Sequence, residues 1–485
     1  MPRRYRLHLA RQHPMRFRLS LAALTLPAVG LLVLLQAAPL QSPLSESEAS
    51  LAIAVRYPAR ELARSHEGGA GATATALMSV GPSLLGTSES RLRAAGVLAG
   101  CLSLGLVVRL GERLFSTATG VLAAVILLST ATGRTLLGTE FTVEPFFVVA
   151  MLAAVGGIRN LARDRRSAIR SGIAGGTAIA LVGASALWIP AMTLVWLRRL
   201  YGLTLRSFGV VVSTTAATAA ALAAVSAAVL GVSFEGVVPM VATTALSKEA
   251  LLSGGIELLP VLPPVLLGLW SAPAQQRAQG SPRFLSMWLA FAAATAWWTG
   301  AVAALWIAVC MWAAVFATWA LGGASRRSVL ASLGLSALLA IGLDAGLPED
   351  DASEVHDRWA VRETGKFLRR NLESDSTIAA APGARGRLAY YATRPIEPLE
   401  RTEVLDGFDY VVLDRAVLAS AESSRSDRPP PRELEVDGHA LRVLAEFGPW
   451  VLARVGGSDE GVTVPAPEKP SGPPAAGVKS AYLHD

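Results

Sequence analysis

Two pairs of glutamates have the type and spacing to do chemistry. Glu140 and Glu144, in "GTEFTVEPFFVVAM" (Gly138 to Met151), stand four residues apart at the mouth of an apolar run from Pro145 to Val155. Glu46 and Glu48, in "LSESEASLAIAV" (Leu44 to Val55), lie just beyond another apolar span. A carboxylate near a bilayer core costs several kcal/mol unless it meets water or a partner. Held partly desolvated, it has a raised pKa and becomes a better base.

The elements that must hold these acids are membrane helices. The 485 residues are 52% hydrophobic and 17% charged, against about 25% charged in an ordinary soluble chain. The apolar residues come in blocks of membrane-helix length. Candidate spans are Leu19–Leu35, Leu92–Leu110, Gly120–Leu128, Pro145–Ile158, Gly172–Leu181, Leu187–Leu197, Phe208–Leu230, Leu258–Trp270, Phe284–Trp298, Ala301–Leu321 and Val329–Leu343. The pair around Gly183 reads either as two helices with a tight turn or as one long helix. Cys101 and Cys310 lie inside apolar blocks and read as packing residues.

Charge sets the orientation. The net charge of +7 is carried mainly by arginine, with lysine only at Lys248, Lys366, Lys469 and Lys479. The arginines cluster beside apolar spans, which is the positive-inside pattern and argues against a nucleic-acid partner. With about eleven spans, the tail 1–18, Arg159–Arg170, Arg198–Arg206, Arg277–Arg283 and Arg326–Arg327 all fall on the cytoplasmic side. Arg91, Arg93 and Arg134 fall opposite. The expected layout is a basic tail 1–18, a membrane domain 19–346 with an extracytoplasmic loop at about 38–91, and a C-terminal extracytoplasmic region. The protein is thus expected in the cell (inner) membrane of a bacterium. A second reading of the first span is a cleavable signal peptide, from its basic start and the small residues of "QAAPL".

Beyond residue 346 the composition changes. "EVHDRWAVRETGKFLRRNL" has Val355, Trp359, Phe367 and Leu368 at helical spacing. "STIAAAP" and "DYVVLD" read as buried strands, and "HALRVLAEFGPWVLARV" as a strand pair broken at Gly448-Pro449. Together they predict a small α/β domain over 347–456. The Pro- and Gly-rich segment 457–485 is expected to be disordered. P-loop, Rossmann and HExxH motifs are absent, and the histidines lack metal-ligand spacing.

The order of these features resembles the C-type membrane glycosyltransferases, in the branch of the lipid A aminoarabinose transferases and protein O-mannosyltransferases. That branch opens its first outer loop with Asp-Glu-x-x-Tyr-Ala. Here "SEASLAIA" stands at that place, with Glu48 as the Glu, Ser47 for the Asp and Leu51 for the Tyr. "LLGTSESRLRAAGVLAG" and "LGERLFSTATGVLAAVILLS" follow the family pattern through Gly86, Glu89, Arg91, Arg113, Leu114 and Phe115. "FTVEPFF" supplies Glu144, and "FLRRNLESDSTIAAAP", "LAYYATRPIEPL" and "GFDYVVLDR" resemble the family's outer domain. A "KPPL"-like stretch is missing between Glu67 and Ser83.

The resemblance implies transfer of a sugar from a polyprenyl-phosphate carrier to an extracytoplasmic acceptor hydroxyl of a lipid, glycan or protein. It casts Glu48 as the base and Glu144 as the auxiliary acid, which can hold a divalent cation or steer the acceptor. Arg91 and Arg134 become candidate phosphate contacts, joined by Lys248, the lysine of the membrane-side loops. Two other classes remain open. A non-catalytic relative would bind a lipid-linked sugar or serve as an envelope scaffold, and Ser47 in place of the Asp favours it. A transporter or flippase would need polar residues at mid-membrane depth, and the span centres are almost purely apolar.

Overall fold

The computed structural model describes residues 43–56, 72–85, 88–160, 165–201, 205–230, 256–271, 282–299, 302–323, 325–346, 352–373, 375–399, 405, 407–415, 433–436 and 439–456. The expected first span, Lys248 and the segment 457–485 lie outside them. The helices are α1 (Glu46–Arg56), α2 (Ala72–Leu85), α3 (Glu89–Leu114), α4 (Thr117–Ser129), α5 (Ala131–Leu136), α6 (Glu144–Asn160), α7 (Arg165–Val182) and α8 (Trp188–Tyr201). They continue with α9 (Leu205–Leu230), α10 (Leu262–Ser271), α11 (Pro282–Thr299), α12 (Ala303–Gly323), α13 (Arg326–Gly346), α14 (Ala352–Asn371) and α15 (Pro382–Ala392). The described residues form two compact units, one within 93–226 and 256–344 and the other within 43–92, 227–230 and 345–456.

The first unit is helical. Among the described residues three helices are long and apolar enough to cross a membrane: Glu89–Leu114, Phe208–Val229 and Ala303–Gly322. At 26 residues, α3 extends about 39 Å, beyond a hydrocarbon core of about 30 Å. Helix α12 is the buried centre of its neighbours, with Trp306, Ile307, Met311 and Ala314 enclosed. It packs on α4, where the Thr119 hydroxyl donates to Thr318 Oγ1 at 3.2 Å. It packs on α10 at Gly268, where a Cβ would come within 1.8 Å of the Phe316 carbonyl oxygen. Helices α8 and α11 meet through the edge of Trp196 on Phe284, centroids 4.7 Å apart. Helices α6 and α7 are joined by Ser171 donating to the Ala154 carbonyl at 3.1 Å. Where the sequence left two readings open, the chain breaks: α7 ends at Val182, Gly183 takes φ +60°, and a 3-10 turn over Ala184–Ala186 leads into α8.

The second unit carries a mixed six-stranded sheet of β1 (Ile378–Ala380), β2 (Glu397–Pro398), β3 (Tyr410–Asp414), β4 (Glu433–Val436), β5 (His439–Phe447) and β6 (Trp450–Val455). The spatial order is β2-β1-β3-β6-β5-β4. Strand β1 pairs in parallel with β2 and β3, and the remaining pairs are antiparallel. Both faces of the central strands are buried, so β1 and β3 read as continuous apolar runs rather than alternating ones. One face gathers Ala379, Val411, Leu413, Leu441, Val451 and Ala453 into a core. Helix α14 reaches the sheet through Phe367 against Phe447, centroids 5.5 Å apart, and packs along α15. Its C-terminal carbonyls are collected by Arg394, whose guanidinium donates to Leu368, Leu372 and Glu373.

The expected outer loop is itself structured. Its described residues form α1, α2 and the first turn of α3, and α1 packs against α2 and α15 within the second unit. The cause is local: "SESEASLAIAVR" starts with a capping serine and continues without Gly or Pro.

Candidate functional site

Glu48 sits in the first turn of α1. Ser45 is the N-cap, and the two residues satisfy each other's backbone donors. The Ser45 N–H donates to Glu48 Oε2 at 3.0 Å, and the Glu48 N–H donates to Ser45 Oγ at 3.3 Å. This is a capping box, written in the sequence as Ser-x-x-Glu. Sequence reasoning assigned Glu48 from its place in the chain and passed over this local signal. The side chain is only 1% exposed, so the carboxylate lies in a desolvated position with one oxygen taken by the helix start. The chain just before it is fixed too: the Leu44 N–H donates to the Tyr391 hydroxyl at 2.9 Å.

Glu144 opens α6, directly before Pro145. It is 4% exposed and occupies a turn whose first N–H groups have no helical partner, a place that favours negative charge. The segment leading to it is seated on α3. Gly138 takes φ +95° and lies against Gly96, and the Leu137 carbonyl fills the space over Gly100, where a Cβ would stand 1.8 Å from the oxygen. Any side chain at Gly100 would lift this segment and with it the start of α6. Glu140 is half-buried one turn earlier. Thr142, two residues before Glu144, is buried with no hydrogen-bond partner for its hydroxyl among the described residues.

Glu48 belongs to the second unit and Glu144 to the first. The proposed cations divide as well. Arg91, on the first turns of α3, is exposed. Arg134, on α5, directs Nη1 to the carbonyls of Leu128 and Ser129 at 3.4 and 3.3 Å, closing the turn between α4 and α5. Arg93, two residues beyond Arg91, is buried, at 2% exposure. Arg93 shares its face of α3 with the buried Gly96, Val97 and Gly100 at helical spacing, while Arg91 shares its face with the exposed Leu98 and Leu102. Glu257 is a further acid not singled out from the sequence: its Oε2 accepts the Thr132 N–H at 3.2 Å.

Among the described residues no three of His, Cys, Asp or Glu stand together as a metal-holding group. A buried carboxylate can in general remove a proton or steer a hydroxyl by charge and hydrogen bonding.

No family model matches the chain, and no curated protein matches it in sequence. By structure it is similar to ArnT from Cupriavidus metallidurans in the apo state, with a TM-score of 0.62 at 14% identity over 89% of this chain and 97% of that one. The same ArnT bound to undecaprenyl phosphate gives 0.61 at 13% identity with the same coverage. The apo oligosaccharyltransferase of Archaeoglobus fulgidus gives 0.52 at 12% identity, over 81% of this chain and 70% of that one. Both relatives are C-type membrane glycosyltransferases, and the fold of this chain is the fold of that class.

Proposed function

We propose that this protein is a membrane glycosyltransferase that moves a sugar from a polyprenyl-phosphate-linked donor to an extracytoplasmic acceptor hydroxyl. The observation that carries the reading is the burial of Glu48 at the start of α1, in a chain whose fold matches ArnT along 97% of ArnT's length. That ArnT has been seen bound to undecaprenyl phosphate supports a lipid-phosphate donor. In the reaction, the Glu48 carboxylate takes the acceptor's proton as the hydroxyl oxygen attacks the anomeric carbon. The sugar–phosphate bond breaks, and polyprenyl phosphate leaves with the electron pair. Glu144 steers the acceptor. Arg91 and the N–H groups of Arg134 other than those on Nη1 meet the departing phosphate, with Lys248 as a third cation. The architecture we assign is about eleven spans over 19–346, an inner-membrane protein with a cytoplasmic N-terminus, and an extracytoplasmic α/β domain over 347–456.

The second reading is a non-catalytic relative of the same fold. The capping box favours it, because a carboxylate engaged with Ser45 already has a structural task, as does Ser47 at the position of the family's Asp. The test uses the full chain in lipid nanodiscs with a panel of radiolabelled polyprenyl-phosphate sugars and envelope fractions as acceptors. Release of polyprenyl phosphate with label on the acceptor, lost in Glu48→Gln, supports transfer. Donor binding without release across the whole panel moves the assignment to the non-catalytic relative.

A further inference from the structure

We propose that Tyr391 is the positioning residue for the Glu48 carboxylate, acting through the backbone of Leu44 and Ser45; this rests on the transfer reading above. Two successive amides connect the groups. The Leu44 N–H donates to the Tyr391 hydroxyl at 2.9 Å, and the next N–H along the chain, that of Ser45, donates to Glu48 Oε2 at 3.0 Å. The two N–H groups lie on successive planar peptide units joined at Leu44 Cα, and because Leu44 is fully enclosed the dihedrals between them are held by packing, so fixing the first N–H limits how the second can turn. The direction of the Ser45 N–H in turn helps to set which way the carboxylate faces.

The tyrosine is itself held rigidly. Leu44 is fully enclosed and Tyr391 is buried. Tyr390 meets the Tyr391 ring edge-on, centroids 5.0 Å apart. Helix α14 presses on it at Gly365, where an added Cβ would fall 2.4 Å from Tyr391 Cβ. Beside the ring, Arg362 pairs with Glu89 at 3.4 Å and lies over Trp359 at 4.9 Å. The phenol is thus a fixed post set by the helices packed on the sheet, and α1 is tied to it at the turn that carries the acid. A general base misplaced by about 1 Å loses on the order of 10²-fold in rate. A single hydroxyl at this place therefore governs rate without touching substrate.

The experiment compares wild type, Tyr391→Phe, Glu48→Gln and the double variant, each full length in nanodiscs. Donor KM, kcat and amide hydrogen exchange over residues 44–49 are measured. The expected result is a fall in kcat of about 10²-fold for Tyr391→Phe, an unchanged donor KM, faster exchange at Leu44 and Ser45, and a double variant no slower than Glu48→Gln alone. Unchanged kcat, unchanged exchange, or a loss that adds in full to that of Glu48→Gln overturns the inference while leaving the transfer reading intact. Global unfolding of Tyr391→Phe also overturns it, since the hydroxyl would then serve the fold as a whole. A wild type inactive with every donor overturns the transfer reading first, and this inference with it.

Discussion

Ser45 and Glu48 each satisfy a backbone N–H of the other, at 3.0 and 3.3 Å, so the acid proposed for proton removal is also the cap of its own helix. The two tasks separate by substitution. In Glu48→Gln the amide oxygen still accepts the Ser45 N–H, so the fold is expected to hold while transfer falls about 10²–10⁴-fold. Ser45→Ala should lower stability by about 0.5–2 kcal/mol, read as a drop in thermal midpoint. A Glu48→Gln protein with full transfer rate would show that the carboxylate is only a cap.

The approach of Leu137 to Gly100 gives a test of how the start of α6 is held. Gly100→Ala places a methyl 1.8 Å from a backbone oxygen, and neither backbone can give way cheaply. We expect a clearly lower midpoint in detergent. Gly156→Ala, on α6 with nothing within 4 Å of the new methyl, should match or exceed wild type. Equal midpoints for the two variants would contradict the close seat of the segment on α3.

Arg394 holds three carbonyls at the end of α14 through charge-assisted hydrogen bonds, at 2.6, 3.3 and 2.9 Å. Arg394→Met should destabilise the second unit by about 1.5–3 kcal/mol, measured by denaturant unfolding. A change within error would mean that water replaces the guanidinium at no cost.

Alkaline pH gives a signature of Tyr391. Burial pushes its phenol above the ordinary tyrosine value; the Leu44 N–H works against the shift, Glu89 adds to it, and Arg362 opposes it. Below about pH 10 the phenol is neutral in both folded and unfolded chains, so its contribution is complete and constant. Above that, the unfolded chain ionises first and stability falls as pH rises toward the folded value. Tyr391→Phe should make the alkaline loss shallower. An identical slope in wild type and variant would reject this account.

The topology is tested by fusion after Val455 of a reporter active only outside the cytoplasm. The arginine distribution predicts activity. Cytoplasmic labelling of the same site would reject the orientation.

Much of this arrangement was legible because composition carries it. The apolar run Gly120–Leu128 lies inside α4, which the Ser116 cap extends to Thr117–Ser129. The spacing of Trp359, Phe367 and Leu368 marks α14, and "DYVVLD" is β3. What composition does not carry is which face of a helix meets another. Arg91 and Arg93 differ by about 200° around α3, which puts one in solvent and the other in the interior; the motif pointed to the exposed one. Gly100 and Gly156 are alike as residues in apolar helices, and only the tertiary neighbour distinguishes them. Helix α1 was hidden because its residues were read as a loop motif, although the Ser-x-x-Glu signal lay in the same letters.

The hydrogen bond from Leu44 to Tyr391 joins residues 347 positions apart. A chain synthesised at about 5–20 residues per second places α1 outside the ribosome roughly 20–70 s before α15 exists to receive it. Throughout that interval the turn bearing Glu48 lacks its Tyr391 anchor. On the reading proposed here, a stalled or truncated chain would carry an unaligned acid. On the same reading such a protein comes into being inert, and completion of the domain that carries Tyr391 is what arms it.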